Sequence, residues 1–315
     1  MNDTFFEGLQ KKGKLTIILI SVVAFVLLTL FILASFFDLQ ISEALYGYTN
    51  GFGKLYSNSF FIIGYLPAIL VNTFLFACLF WYVKKPWLRV IIGFVIYSHL
   101  FGAGYVTASG IETSMNTEFS TPITMGIAGG IATLGTFPSI WFLRKVDIDT
   151  LKKMIYVCLI CVIFASLANG TVALLQMIWG RDRYYFIIDG IMKDGALVHG
   201  IYTPWYQPTG NASEMATQSF PSLHTSSAVS FIFLPMLAWK LNFKKYVQRI
   251  LLGVGLTGLI SVPLSRIVMG HHFTSDVLFS LIISAVFVLT AIIAFDLLYI
   301  RRREKTATNP ETTVS

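Results

Sequence analysis

Charge is what this sequence has least of. Only 12% of its 315 residues are Asp, Glu, Lys or Arg, while 55% are hydrophobic. An ordinary soluble domain carries about 25% charged residues. A single water-soluble core of this size needs far less apolar surface than this chain supplies, which excludes a soluble globule. Cysteine is scarce as well, and Cys78, Cys158 and Cys161 all fall in apolar stretches. The last two form a C-x-x-C pair, a redox signal in a soluble protein but a pair of small hydrophobes inside an apolar run. No internal repeat, separate soluble domain or cluster with metal-ligand spacing is evident.

What is present in quantity is long apolar sequence. About 20 consecutive apolar residues cross a bilayer core of about 30 Å. Such runs occur at Leu15 to Phe37, Phe60 to Val83, Trp87 to Thr107, Pro122 to Leu143, Met154 to Trp179, Thr225 to Leu241, Ile250 to Met269 and Phe273 to Ile300. They predict an all-α membrane bundle of about eight spans, the sixth and seventh being weakest. The first run is too long for the apolar core of a signal peptide and reads as a retained span. Gly126 and Gly130, and Gly253, Gly255 and Gly258, have the spacing of close helix contacts. The segment Gly180 to Pro221 is rich in aromatics, Gly and Pro, and reads as an irregular external loop with one short interfacial helix.

The net charge of +7 invites a nucleic-acid reading, but its distribution favours another. With the N-terminus in the cytoplasm and eight crossings, 18 of the 23 basic residues fall inside. Only Lys54, Arg181, Arg183, Lys193 and Arg266 fall outside. Basic residues are retained on the cytoplasmic side during insertion. The charge therefore reports topology, with both termini cytoplasmic, and no nucleic-acid partner is expected. The polar tail after Arg303 is expected to be disordered.

Polar residues then stand out at three places. Arg183 follows the fifth run, Ser222 and His224 precede the sixth, and Arg266, His272 and Asp276 straddle the seventh and eighth. The basic-residue topology puts all three on one membrane face. His272 and Asp276 are four apart, so on a helix they share a face. The carboxylate can then accept from one ring nitrogen and leave the other basic, as in nucleophilic catalysis. Arg266 can hold phosphate oxygens in paired hydrogen bonds. A structural Arg266–Asp276 ion pair explains the same residues equally well. Ser222, after Pro221, suits a helix N-cap, and His224 at that helix's mouth suits a general acid–base. A capped helix bearing an interfacial histidine is the plainer alternative.

Taken together these residues resemble the type 2 phosphatidic acid phosphatase superfamily over about Met154 to Ile300. The pattern S-R-x5-H-x3-D is matched by Ser265, Arg266, His272 and Asp276, and P-S-x-H by Pro221, Ser222 and His224. The family's K-x6-R-P motif is degenerate: Gln176 stands for the lysine and Tyr184 for the proline, around Arg183. Leu223 replaces the usual glycine. Trp179-Gly180-Arg181-Asp182-Arg183 and Tyr202-Thr203-Pro204-Trp205-Tyr206 are similar to segments of bacterial members.

The apolar runs give a four-span N-terminal region over 1–150 and the polar end a tail over 304–315; the resemblance makes 151–303 the phosphatase core. It implies that His272 attacks phosphorus, Asp276 fixes its tautomer and His224 protonates the leaving oxygen. Arg183, Arg266 and Ser222, with Leu223 and Gln176 beside them, would then lie at the phosphate. Arg181 binds either substrate or headgroups on this reading, and His271 is the rival nucleophile. Neither a cofactor nor a metal is implied. The partners are the bilayer and a lipid phosphate: a polyprenyl diphosphate, phosphatidylglycerol phosphate or phosphatidic acid. A phosphotransferase with the same intermediate and a non-catalytic membrane protein are the alternatives.

Overall fold

The computed structural model describes residues 3–47, 51–115 and 119–308. Among them the chain is helical throughout, except for one small hairpin and connecting loops. In order come α1 (Asp3–Leu45), α2 (Gly51–Ile63), α3 (Leu66–Tyr82), α4 (Pro86–Met115), α5 (Thr121–Phe142) and α6 (Ile148–Trp179). A loop segment follows, with α7 (Tyr184–Ile188) and the antiparallel pair β1 (Ile191–Lys193) and β2 (Ala196–Val198). The remaining helices are α8 (Leu223–Ala228), α9 (Phe233–Lys240), α10 (Lys245–Val268) and α11 (Thr274–Thr308).

Six of these helices are long and apolar enough to cross a membrane, over Val22–Leu45, Pro86–Ser109, Thr121–Phe142, Ile148–Trp179, Lys245–Val268 and Thr274–Phe295. Their outward faces carry large bare hydrophobics such as Phe25, Leu134 and Leu174, as hydrocarbon contact requires. This is the architecture of a multi-pass membrane protein.

Two of the eight apolar runs do not form a single continuous helix. The run Phe60 to Val83 breaks at Gly64–Tyr65, and Pro67 opens the 17-residue α3. Proline is suited to a first helical turn and lacks the N–H that a continuous helix would use. The run Thr225 to Leu241 is divided by a 3₁₀ stretch, Val229–Ile232, between α8 and α9. Pro235 cannot bond back to Phe231, and the chain tightens just before it. At the end of the chain, α11 continues through 304–308, where a disordered tail was expected; 309–315 lie outside the described residues. The loop between α6 and α8 also holds the β1–β2 hairpin, which its composition did not announce.

The helices pack around α6 and α11. α3 lies against α6, α1 against α11, α2 against α10, and the α4–α5 pair against α3. The central cluster joins Val71 and Leu75 of α3, Val157, Cys158 and Cys161 of α6, Phe233 and Met236 of α9, and Ala291 and Phe295 of α11. Cys158 and Cys161 are free and buried there, as core hydrophobes. Of the glycines spaced for helix contact, Gly258 meets the Phe231 ring and Gly255 meets Pro235, but Gly126, Gly130 and Gly253 face open space. The close α4–α5 approach is made instead by Gly104, where an added Cβ would come within 2.8 Å of the Ala128 backbone.

Candidate active site

Two left-handed glycines deliver the site residues. Gly180 ends α6 at φ 64°, and Gly270 follows α10 at φ 69°. A side chain at Gly270 would be strained by its backbone and would meet Tyr46 and the Tyr185 N–H at 2.8 and 3.0 Å. The first turn releases Arg181 and Arg183, and the second releases His271 and His272.

The segment after α6 runs alongside the segment before α8. Arg181 N–H donates to Thr217 O at 2.7 Å, Arg183 N–H to Ala216 O at 2.9 Å, and Ser219 N–H to Arg181 O at 2.9 Å. Gln176 braces this pairing from α6. Its amide nitrogen donates to Gln218 O at 2.9 Å and to Pro221 O at 3.0 Å. The structure therefore engages Gln176 with the backbone of the Pro221–His224 motif, a different position from the phosphate contact expected of it. Ser222 caps α8, its hydroxyl accepting from Thr225 N–H. Leu223 opens the helix half-buried.

His272 is fully enclosed, with 1% of its surface exposed. Its Nδ1 lies 2.5 Å from the Ser219 carbonyl oxygen. A carbonyl can only accept, so this contact assigns the ring proton to Nδ1 and leaves the Nε2 lone pair unprotonated. Asp276, expected to make that bond, stands back at 3.9 Å from Nδ1. Its Oδ2 accepts instead from the Ser219 hydroxyl at 2.5 Å and the Phe273 N–H at 2.8 Å. Asp276 thus reaches His272 through Ser219: it holds the residue whose carbonyl orients the ring. The four-residue spacing places both side chains on one side of the turn, but it cannot foresee that a loop carbonyl intervenes.

Nor does Asp276 pair with Arg266. Its Oδ1 takes Arg181 Nη1 at 2.5 Å, and Asp38 of α1 takes Arg181 Nη2 at 3.0 Å. Arg181 also donates to Thr203 O and Ser275 Oγ, and lies 4.0 Å over the Phe273 ring. At 1% exposure it is fully enclosed and faces two carboxylates. Asp38 accepts from Ser275 through its N–H at 2.8 Å and through its hydroxyl. Arg266 is equally buried, and its Nη2 donates to Ser57 O of α2 at 2.6 Å.

Arg183 keeps a donor to spare. Its guanidinium makes a long 3.4 Å contact from Nη2 to Gln218 O and a side-chain hydrogen bond with Tyr185, while its buried Nε has no hydrogen-bond partner among the described residues. Such a donor is costly to bury unless something accepts from it. Burial, with Arg266 and Arg183 nearby, holds His224 well below the usual imidazole range. Burial and Arg183 do the same to His272, aided by His224 and His271. An anion at the centre of this group would offset the repulsion. His271 lies beside this group, its ring 5.1 Å from that of Tyr185.

Three residues here escaped sequence reasoning. Asp38 lies one residue beyond the apolar run Leu15 to Phe37, yet within the helical span Val22–Leu45, where an embedded acid is itself a signal. Tyr65, whose hydroxyl lies 2.9 Å from His224 Nε2, and Ser219 belong to no motif and gave no signal.

Comparison with curated proteins and with solved structures yields no match. A family model does match, the PAP2 superfamily, over residues 153–299. That stretch contains Gln176, both histidine motifs and Arg181, Arg183 and Arg266, so residues 153–299 match the PAP2 superfamily, consistent with the resemblance to type 2 phosphatidic acid phosphatases.

Proposed function

We propose that this protein is a membrane phosphatase that removes phosphate from a lipid phosphomonoester or diphosphate through a phosphohistidine at His272. One observation carries the reading: the Ser219 carbonyl holds the Nδ1 proton, which turns Nε2 into a fixed nucleophile. Nε2 attacks phosphorus, and the bond from phosphorus to the lipid oxygen breaks. His224 gives that oxygen a proton, helped into its charged form by the bound phosphate. Water then attacks the phosphohistidine while His224 takes its proton back, and inorganic phosphate leaves. Arg183 and Arg266 are the cations beside the histidines, and they stabilise the charge on the equatorial oxygens. No step needs a metal. Orthovanadate, which adopts the five-coordinate geometry of in-line transfer, is expected to inhibit at micromolar to low millimolar levels, whereas EDTA has no effect. Loss of activity on chelation and its return with added metal would put the enzyme in another mechanistic class.

The active site lies on the non-cytoplasmic side in this reading, because 18 of 23 basic residues then fall inside. Arg183, His224 and His272 lie near one another, so one side of the membrane serves all three. Single cysteines in a cysteine-free background supply the check. A cysteine at Asn211 should react with an impermeant thiol reagent in intact cells, and cysteines at Asp147 or Asn242 only after permeabilisation. The reverse pattern would move the site to the cytoplasm.

A further inference from the structure

The largest cavity described lies outside the PAP2 segment, between the start of α3 and the middle of α4. Its volume is about 590 Å³, within the range of about 300–1,000 Å³ that holds a drug-sized ligand. Ile69, Gly102, Ala103 and Val106 give it an apolar wall, and Tyr65 closes one side. That same Tyr65 hydroxyl lies 2.9 Å from His224 Nε2, so the cavity begins one side chain away from the catalytic histidines. It is open laterally, where Gly102 and Val106 are exposed on α4. His99 adds a buried Nε2 with no partner among the described residues. Such a group can orient a linking oxygen.

We infer that this cavity receives a hydrocarbon tail of the lipid phosphate whose headgroup is hydrolysed at His272. The inference rests on the proposed phosphatase reading and adds a location to it: the tail is selected by α3 and α4, not by the PAP2 core. Three observations converge. The wall is apolar, the opening faces the lipid side, and the inner end meets the general acid. A second lipid unrelated to catalysis has no reason to share Tyr65 with His224. Each methylene that enters should raise kcat/KM about fourfold, the equivalent of about 0.8 kcal/mol.

Gly102 provides the probe, since a Cβ there meets nothing within 4 Å. Gly102→Phe adds a ring at the cavity wall from a Cβ that starts in open space. Gly126→Phe on α5, where a Cβ also meets open space, controls for a bulky residue facing lipid. Butyl phosphate and decyl phosphate below its micellar concentration are the substrates. The decyl-to-butyl ratio of kcat/KM should fall at least about tenfold in Gly102→Phe and stay at the wild-type value in Gly126→Phe. A ratio equal in all three proteins overturns the inference. A second arm does not depend on turnover. Decyl phosphate bearing a terminal diazirine should label α4 between Ser98 and Thr107, and unlabelled decyl phosphate should compete. Labelling spread evenly over lipid-facing helices, or matched by the phosphate-free alcohol, marks a groove filled by bulk lipid and also overturns it. If wild-type protein cleaves neither substrate while labelling stays focused on α4, the phosphatase reading fails and the tail site stands.

Discussion

His272→Ala is expected to lower phosphate release by about four orders of magnitude or more, the scale seen when a covalent nucleophile is removed. His271→Ala is expected to keep at least a tenth of the activity. The two histidines are adjacent, equally basic in a peptide, and both held neutral by burial and by Arg183. What separates them is orientation. His272 has its Nδ1 proton fixed on Ser219 O at 2.5 Å, and Ser219 is fixed in turn by Asp276. For His271 the described ring contact is an aromatic one with Tyr185. A fixed tautomer keeps one lone pair aimed without reorganisation in the transition state, whereas a tilted ring contact imposes no such constraint on His271. The check is release of inorganic phosphate from a panel of lipid phosphates by the purified variants. Full activity in His272→Ala together with a dead His271→Ala would reverse the assignment of the nucleophile.

The same residues show how far sequence carried the argument. The apolar runs located every long helix, because 20 apolar residues have few alternatives in a chain so poor in charge. They failed where a proline at 67 or 235 interrupts an apolar run that hydropathy alone reads as continuous. Spacing found His224, His272, Asp276, Arg183 and Arg266, since turns and helices bring near neighbours in sequence together. It misplaced the partners. Asp276 was assigned to His272 or to Arg266, yet it bonds Ser219 and Arg181, which are 57 and 95 residues away. Asp38 on α1 and Tyr65 in the turn before α3 are more distant still, and neither segment carries a family motif. Contacts of that separation are set by how α1 packs on α11 and how α3 packs on α6, which no local pattern encodes.

Removal of Arg181 is the second large effect, and it decides between two roles for that residue. Its guanidinium lies between Asp38 and Asp276, at 3.0 and 2.5 Å, with all three side chains no more than 1% exposed. Arg181→Met deletes the cation and leaves two carboxylates facing each other without water. Breaking a buried ion pair from one side costs about 3–5 kcal/mol, so the variant should unfold at a clearly lower temperature in detergent. Any protein that does fold should have lost kcat, because Asp276 would no longer hold Ser219 against His272. Asp38→Asn is the milder cut. Arg181 keeps Asp276, the Ser275 N–H keeps an oxygen acceptor, and the loss should be about 1–2 kcal/mol. The double variant Arg181→Met with Asp38→Asn should recover part of the stability lost in Arg181→Met, since one stranded charge is gone. A phosphate-binding Arg181 predicts a different pattern. Its replacement would raise KM for the lipid phosphate, leave the melting temperature near wild type, and gain nothing from Asp38→Asn. Thermal unfolding of the three variants beside their kcat and KM values separates the alternatives. An Arg181→Met protein of undiminished stability would show that the two carboxylates do not depend on it.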